Sequence, residues 1–157
     1  MINKKRNRVN QKEIVSCSEK ETQKLARDLF KEFAKDRKGA LIFLLKGDLG
    51  SGKTTFLKGL ERILKVKIVS PTFIIYRRYP ISVLGFKNFY HFDFYRLSKK
   101  TEIQELLPKE ILSLPENFIA IEWPKKISYQ NIGSFIEITF ENLDEKRRKI
   151  KIKSKIK

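Results

Sequence analysis

The chain has 157 residues, 41% of them hydrophobic, with one cysteine, one histidine and a formal net charge of +17. That size and apolar content suit one domain with a real core and exclude a wholly disordered chain. A single cysteine excludes an internal disulfide, one Cys with one His cannot make a structural zinc site, and no apolar run approaches the ~20 residues of a membrane span.

In chain order, residues 13–17 read as a short first strand and residues 19–36 as a helix with Ser18 as its N-cap. Leu25, Ala26, Leu29, Phe30 and Phe33 make one apolar stripe on that helix. Residues 40–45 form an unbroken apolar run, the pattern of a strand buried on both faces. A glycine-rich turn follows at 47–54, then a second helix over 54–64 and a short strand over 65–69. Residues 73–79 and 88–95 are aromatic and β-branched and read as strands joined through Pro80 and Gly85. One or two helical segments are expected over 101–114, with Pro108 near the first turn of the second. Residues 118–122 are another buried strand. Residues 135–140 and 146–152 face each other as a C-terminal hairpin whose last strand, alternating Ile and Lys, has the look of a charged sheet edge. The expected organisation is a basic flank at 1–12, one α/β domain at 13–152 and a basic tail at 153–157.

The charge is concentrated at the ends. Residues 1–12 carry five Lys or Arg and residues 146–157 carry eight, with no acid in either stretch. Such ends attract RNA phosphates through counterion release, or are simply solvated flanks; no interleaved aromatics for base stacking decide between the two. The basic start is followed by no apolar h-region, so no signal peptide is indicated and a cytoplasmic location is expected.

The octet Gly47-Asp48-Leu49-Gly50-Ser51-Gly52-Lys53-Thr54 fits the phosphate-binding pattern GxxxxGK[ST], between a predicted buried strand and a predicted helix. Its glycines allow the sharp turn that aims backbone N–H groups at a phosphate, and the helix start adds positive potential. Lys53 is then expected on the β- and γ-phosphates and the Thr54 hydroxyl on Mg²⁺. Such a loop needs an acid near the metal at the end of a neighbouring strand. Asp93 and Glu122 each close an apolar run and are both candidates. Ser70 and Thr72, flanking Pro71, are candidates for a loop that senses the γ-phosphate. His91 reads as a base or, more plainly, as a core residue.

Taken together, GDLGSGKTT at 47–55, SPTF at 70–73, HFDFYRL at 91–97 and IEWP at 121–124 resemble the TsaE/YjeE family in order and spacing, over about residues 14–152. The resemblance implies a P-loop NTPase fold with a central, mostly parallel sheet, flanking helices and added antiparallel strands. It implies ATP and Mg²⁺ as ligands, held by Asp48, Leu49, Gly50, Ser51, Gly52, Lys53, Thr54 and Thr55. It places Asp93 as the Walker-B-like acid, Glu122 as a second acid at the metal and phosphates, and Ser70 and Thr72 in a switch loop. Thr22 matches a family threonine near the nucleotide base. The implied role is slow ATP hydrolysis in a complex with TsaD and TsaB, which install threonylcarbamoyl on the tRNA adenosine beside the anticodon. Three features depart from the family: Ser51 where many members have Ala, Leu106-Leu107-Pro108 where many have Gly, and the basic stretch beyond Ile152. The alternative on the same scaffold is a small-molecule or nucleoside kinase, for which Arg77, Arg78 and Arg96 are too scattered to form a lid. A GTPase is disfavoured by the lack of an Asn-Lys-x-Asp base-reading motif.

Overall fold

The computed structural model describes residues 8–35, 37–71, 73–125, 127–130 and 132–156. The strands are β1 (Arg8–Ser16), β2 (Leu41–Lys46), β3 (Tyr76–Val83), β4 (Phe86–Asp93), β5 (Asn117–Glu122), β6 (Phe135–Asn142) and β7 (Arg148–Ile156). The helices are α1 (Glu19–Phe33), α2 (Lys53–Lys58), α3 (Glu61–Leu64), α4 (Lys100–Leu106) and α5 (Lys109–Ser113). The strands form one sheet in the order β1-β7-β6-β2-β5-β4-β3. Its centre, β6-β2-β5-β4, is parallel, and β7, β1 and β3 add antiparallel flanks. This is the expected α/β P-loop architecture with a C-terminal hairpin. Among the described residues, no helix is long and apolar enough to cross a membrane.

Both central strands are buried on two faces, as their uninterrupted apolar sequences require. Leu41, Phe43 and Leu45 of β2 pack with Phe118 and Ala120 of β5 beneath α1, α2 and α3. Ile42, Leu44, Ile119 and Ile121 point the other way, toward Ile103 and Leu107 at α4. The Phe118 ring is the centre of the first layer, with Phe89 at 4.8 Å, Phe30 at 5.0 Å and Phe43 at 5.2 Å between centroids. Such aromatic pairs add about 0.5–1.5 kcal/mol each beyond area burial.

Ser18 caps α1 as expected. Its hydroxyl accepts from the Glu21 N–H at 3.1 Å, and the Glu21 carboxylate accepts from the Cys17 N–H at 2.7 Å. The first bond satisfies a backbone donor that a helix start otherwise leaves open, and the second ties the Cys17 N–H, just before the cap, to the first turn. Pro108 is the N-cap of α5, so it separates the two short helices rather than kinking one.

Several boundaries differ from expectation. The helix after the glycine-rich turn is two short helices, because Gly59 closes α2 with N–H bonds into the preceding turn. No strand forms at 65–69. Lys65 takes the left-handed conformation, at φ 54°. The Ile68 N–H then bonds the Glu61 carboxylate and the Val69 N–H bonds the Tyr79 hydroxyl, so these donors need no ladder. Pro80 lies within β3, the edge strand, where a missing N–H is tolerated and the register slips between Pro80 and Val83.

The largest difference is at the ends. β1 begins at Arg8 and β7 runs to Ile156, paired in register from Arg8↔Ile156 to Ser16↔Arg148. β7 is therefore an interior strand, not the edge its Ile–Lys alternation suggested, and β1 takes the edge. Residues 8–12 and 153–156, read from composition as parts of a flank and a tail, carry sheet pairing instead.

Candidate functional site

The site lies where the parallel strands end. Lys46, Asp93 and Glu122 are the last residues of β2, β4 and β5, and Asp93 faces Glu122 directly in the β4–β5 register. Two acids distant in sequence are thus neighbours, beside the turn that leaves β2. Parallel α/β sheets collect ligands at this end because the loops leaving adjacent strands diverge there.

The turn from Gly47 to Gly52 carries the chain from β2 into α2. Gly52 takes φ 109°, a left-handed value that suits glycine, and a side chain there would collide with the Arg148 guanidinium. Arg148 comes from β7 and its Nε is buried without a partner. Asp48, Leu49 and Gly50 form the exposed tip of the turn, whereas Ser51 and Lys53 are buried. The Lys53 ammonium donates to the carbonyls of Gly47 at 2.6 Å and Asp48 at 2.8 Å. It also lies 4.6 Å from the centre of the Trp123 ring. Burial lowers the Lys53 pKa, opposed in turn by the negative charges of Glu122, Asp93 and Asp48. Thr54 and Thr55, in the first turn of α2, are half-buried.

Burial also raises the Asp93 pKa; the Tyr95 N–H, donating to Asp93 Oδ1 at 2.9 Å, works against this and nearby Glu122 adds to it. Glu122 is 4% exposed and is bonded to His91, which is completely buried. Trp123, the next residue, has φ 57°, and its N–H reaches back to the Leu45 carbonyl, tying the end of β5 to β2. Its ring also meets Tyr95, 4.9 Å away between centroids. A cavity of about 380 Å³ opens beside the turn, lined by Lys46, Gly47, Trp123, Lys125 and Tyr129 among others. The larger cleft, of about 980 Å³, lies at the opposite end of the sheet near the starts of β2 and β6 and has no part in this arrangement.

The remaining expected residues are placed as follows. Ser70 is half-buried in the segment leading to β3, and Thr72 lies outside the described residues. Just beyond them Ile75 has φ 65°, a strained value for a β-branched residue, and its carbonyl accepts the Asp93 N–H at 2.8 Å. Phe73, 85% exposed, lies beneath the Arg96 guanidinium. Thr22 is fully buried, its hydroxyl shared with Ser16 Oγ at 2.7 Å and the Ser18 carbonyl at 3.2 Å. Sequence reasoning missed Arg148, which only the β1–β7–β6 pairing carries to the turn.

An N–H-rich turn, a buried ammonium and two adjacent carboxylates can together hold a polyphosphate and a divalent cation. Among the described residues, no three His, Cys, Asp or Glu side chains cluster as a metal-binding set. That donor set fits Mg²⁺, which keeps several waters and takes few protein ligands, better than a transition metal.

A family model described as threonylcarbamoyl adenosine biosynthesis protein TsaE matches residues 16–150. A Rickettsia felis protein named tRNA threonylcarbamoyladenosine biosynthesis protein TsaE is 39% identical over 140 residues, covering 86% of this chain and 75% of its own. An Aquifex aeolicus protein of the same name is 35% identical over 145 residues, covering 90% and 95%. The crystal structure of Bacillus subtilus YdiB superposes with a TM-score of 0.65 and 26% identity, over 94% of this chain and 87% of that one. With its strand-end acids and phosphate-type turn in the segment these relatives share, the chain belongs to the TsaE family of tRNA threonylcarbamoyladenosine biosynthesis.

Proposed function

We propose that this chain is a MgATP-dependent ATPase that acts with TsaD and TsaB in threonylcarbamoyl modification of the tRNA adenosine beside the anticodon. The observation that carries the reading is the meeting of Asp93 and Glu122 on adjacent strands next to a turn with Lys53 buried inside it. An acid at the β-strand end and a lysine in the turn are the two groups that P-loop ATPases need around a polyphosphate.

In this reading the N–H groups of residues 48–55 take the phosphates, Lys53 leaves its two carbonyls for the β- and γ-phosphate oxygens, and Thr54 reaches the metal. Bound Mg²⁺ supplies charge neutralisation on those oxygens. Asp93 and Glu122 orient the hydrated ion and the attacking water. Ser70 and Thr72 belong to a switch segment, and the strained Ile75 beside Asp93 supports a loop with two arrangements. The Thr22 hydroxyl is already committed within the turn before α1, so its contribution at the nucleotide base is to order backbone there. Domain organisation follows from the same reading: one ATPase domain, whose described residues include the paired strands β1 and β7 at the two basic ends.

The kinase alternative has less support. Arg78 is spent on Asn88, and Arg96 sits over Phe73, so neither is poised as a lid over a second substrate. Turnover by the isolated chain is expected to be slow. The test is reconstitution with TsaD, TsaB, tRNA and the threonylcarbamoyl donor: multiple-turnover modification should require this chain and hydrolysable ATP. Equal modification without the chain, or rapid phosphoryl transfer to a small acceptor, would overturn the reading.

A further inference from the structure

His91 is buried to 0% exposure in β4, one strand over from Glu122 in β5. Its Nε2 stands 2.8 Å from Glu122 Oε1, while its Nδ1 is buried with no partner. Side chains on β4 alternate between faces, so His91 and Asp93 project to the same side, two residues apart. The imidazole is held flat against the Phe89 ring, 6.1 Å between centroids and 10° between planes, within the aromatic layer around Phe118.

An ionised Glu122 only accepts hydrogen bonds, and against it the short contact is made by a proton on Nε2. The partnerless Nδ1 agrees: a bare lone pair buried without a partner is more tolerable than an orphaned N–H donor. Glu122 is itself buried at the end of an all-buried strand, where a carboxylate with free torsions would be both costly and badly aimed. One of its two oxygens is occupied from below by a ring whose own orientation is fixed by packing. The other is not engaged by His91, and Glu122 ends β5 in register with Asp93.

We infer that His91 is a positioning residue: it holds Glu122 Oε1 through an Nε2–H donor and thereby fixes which carboxylate oxygen faces the hydrated metal and phosphates. The inference rests on the ATPase reading above and deepens it, since His91 itself touches neither nucleotide nor metal. Groups that orient metal-site carboxylates from behind are worth about 10–100-fold in activity when removed. The phosphate contacts of the turn are separate, so nucleotide binding is spared.

The chain has one histidine, so both parts of the test have a single-site readout. In ¹⁵N-histidine-labelled wild-type chain, NMR should show a proton on Nε2; a bare Nε2 would overturn the inference without any mutant. In the TsaD–TsaB–tRNA system, His91→Phe should lower the ATPase kcat by about 10–100-fold while KM for ATP changes less than about threefold. His91→Gln, which can place an N–H near the Nε2 position, should recover much of that loss, whereas His91→Asn, which is too short, should not. Should His91→Phe fail to fold, the Gln–Asn contrast and the wild-type spectrum still decide. Equal rates for the Gln and Asn variants, or a His91→Phe variant with full kcat, would overturn the positioning role. Wild-type chain that neither binds nor hydrolyses MgATP would overturn the ATPase reading instead, a separate outcome.

Discussion

Gly59 is the position where two physical effects make opposite predictions for one substitution. It closes α2 at φ −58°, a right-handed value that alanine adopts without strain. On helix propensity alone, Gly59→Ala would stabilise by up to about 1 kcal/mol. Packing says the reverse. A Cβ at Gly59 would lie 2.4 Å from the Gln23 carbonyl oxygen and 2.6 Å from the Gln23 Cα, in the middle of α1. These are backbone atoms of a regular helix and cannot rotate aside, so α1 and α2 would have to separate by about 1 Å, an overpacking that typically costs about 1–3 kcal/mol. With three Gln23 backbone atoms inside 3 Å, the upper end applies, and the net effect is a loss of about 2 kcal/mol. In a chain of this size each kcal/mol moves Tm by about 2–4 °C, giving a drop of about 4–8 °C. Thermal unfolding followed by far-UV circular dichroism, with urea melts as a check on m, measures it. Because α2 carries Lys53 and Thr54, nucleotide affinity should weaken in parallel. A Tm equal to or above wild type would refute the close α1–α2 contact as the reason for a glycine here.

Asp93→Asn should raise stability at neutral pH while abolishing Mg²⁺-dependent turnover. The folded-state pKa of Asp93 is raised by burial, so folding takes up a proton and stability falls as pH rises through the window above the ordinary carboxylate value. Asparagine removes that penalty and keeps an acceptor for the Tyr95 N–H; melts between about pH 4 and pH 7 should show a flatter profile for the variant. Removing residues 153–157 should lower Tm rather than merely trim charge, because Ser154 is buried and pairs with Asn10 on one side and Ile136 on the other. An unchanged melt would contradict the interior placement of β7. Arg148, whose guanidinium lies against Gly52 of the turn and whose Nε has no partner, is expected to reach a bound phosphate; Arg148→Ala should then weaken MgATP binding about tenfold, the worth of one charge-assisted hydrogen bond, with Tm nearly unchanged. Titration calorimetry would expose the error if affinity stayed at the wild-type value.

The parts of this molecule legible in sequence are those set by local chemistry. The phosphate-type turn, the Ser18 cap, the two-faced burial of β2 and β5 and the placement of Asp93 and Glu122 at strand ends all follow from residues within a few positions of one another. What sequence could not show depends on long-range pairing. The register that sets Asp93 opposite Glu122, and the approach of Arg148 to Gly52, exist only after the sheet is assembled. β7 illustrates the limit: Ile150 and Ile152 alternating with lysines signal one wet face, but that pattern is the same for an edge strand and for an interior strand whose lysines project to solvent. The segment 65–69 shows another, since its β-branched residues favour a strand while the Glu61 carboxylate and Tyr79 hydroxyl satisfy its backbone without one. His91 was legible as a base or a core histidine but not as the partner of Glu122, because that residue lies on the neighbouring strand.

The proposed ATPase site depends most directly on the buried ammonium of Lys53 in the turn after β2. Titration of the wild-type chain and Lys53→Ala with ATP, each with and without Mg²⁺, tests it in one calorimetric experiment. Saturable, Mg²⁺-enhanced binding to the wild type that disappears in the folded variant is the predicted result. Undiminished binding to Lys53→Ala would contradict the phosphate site and the function built upon it.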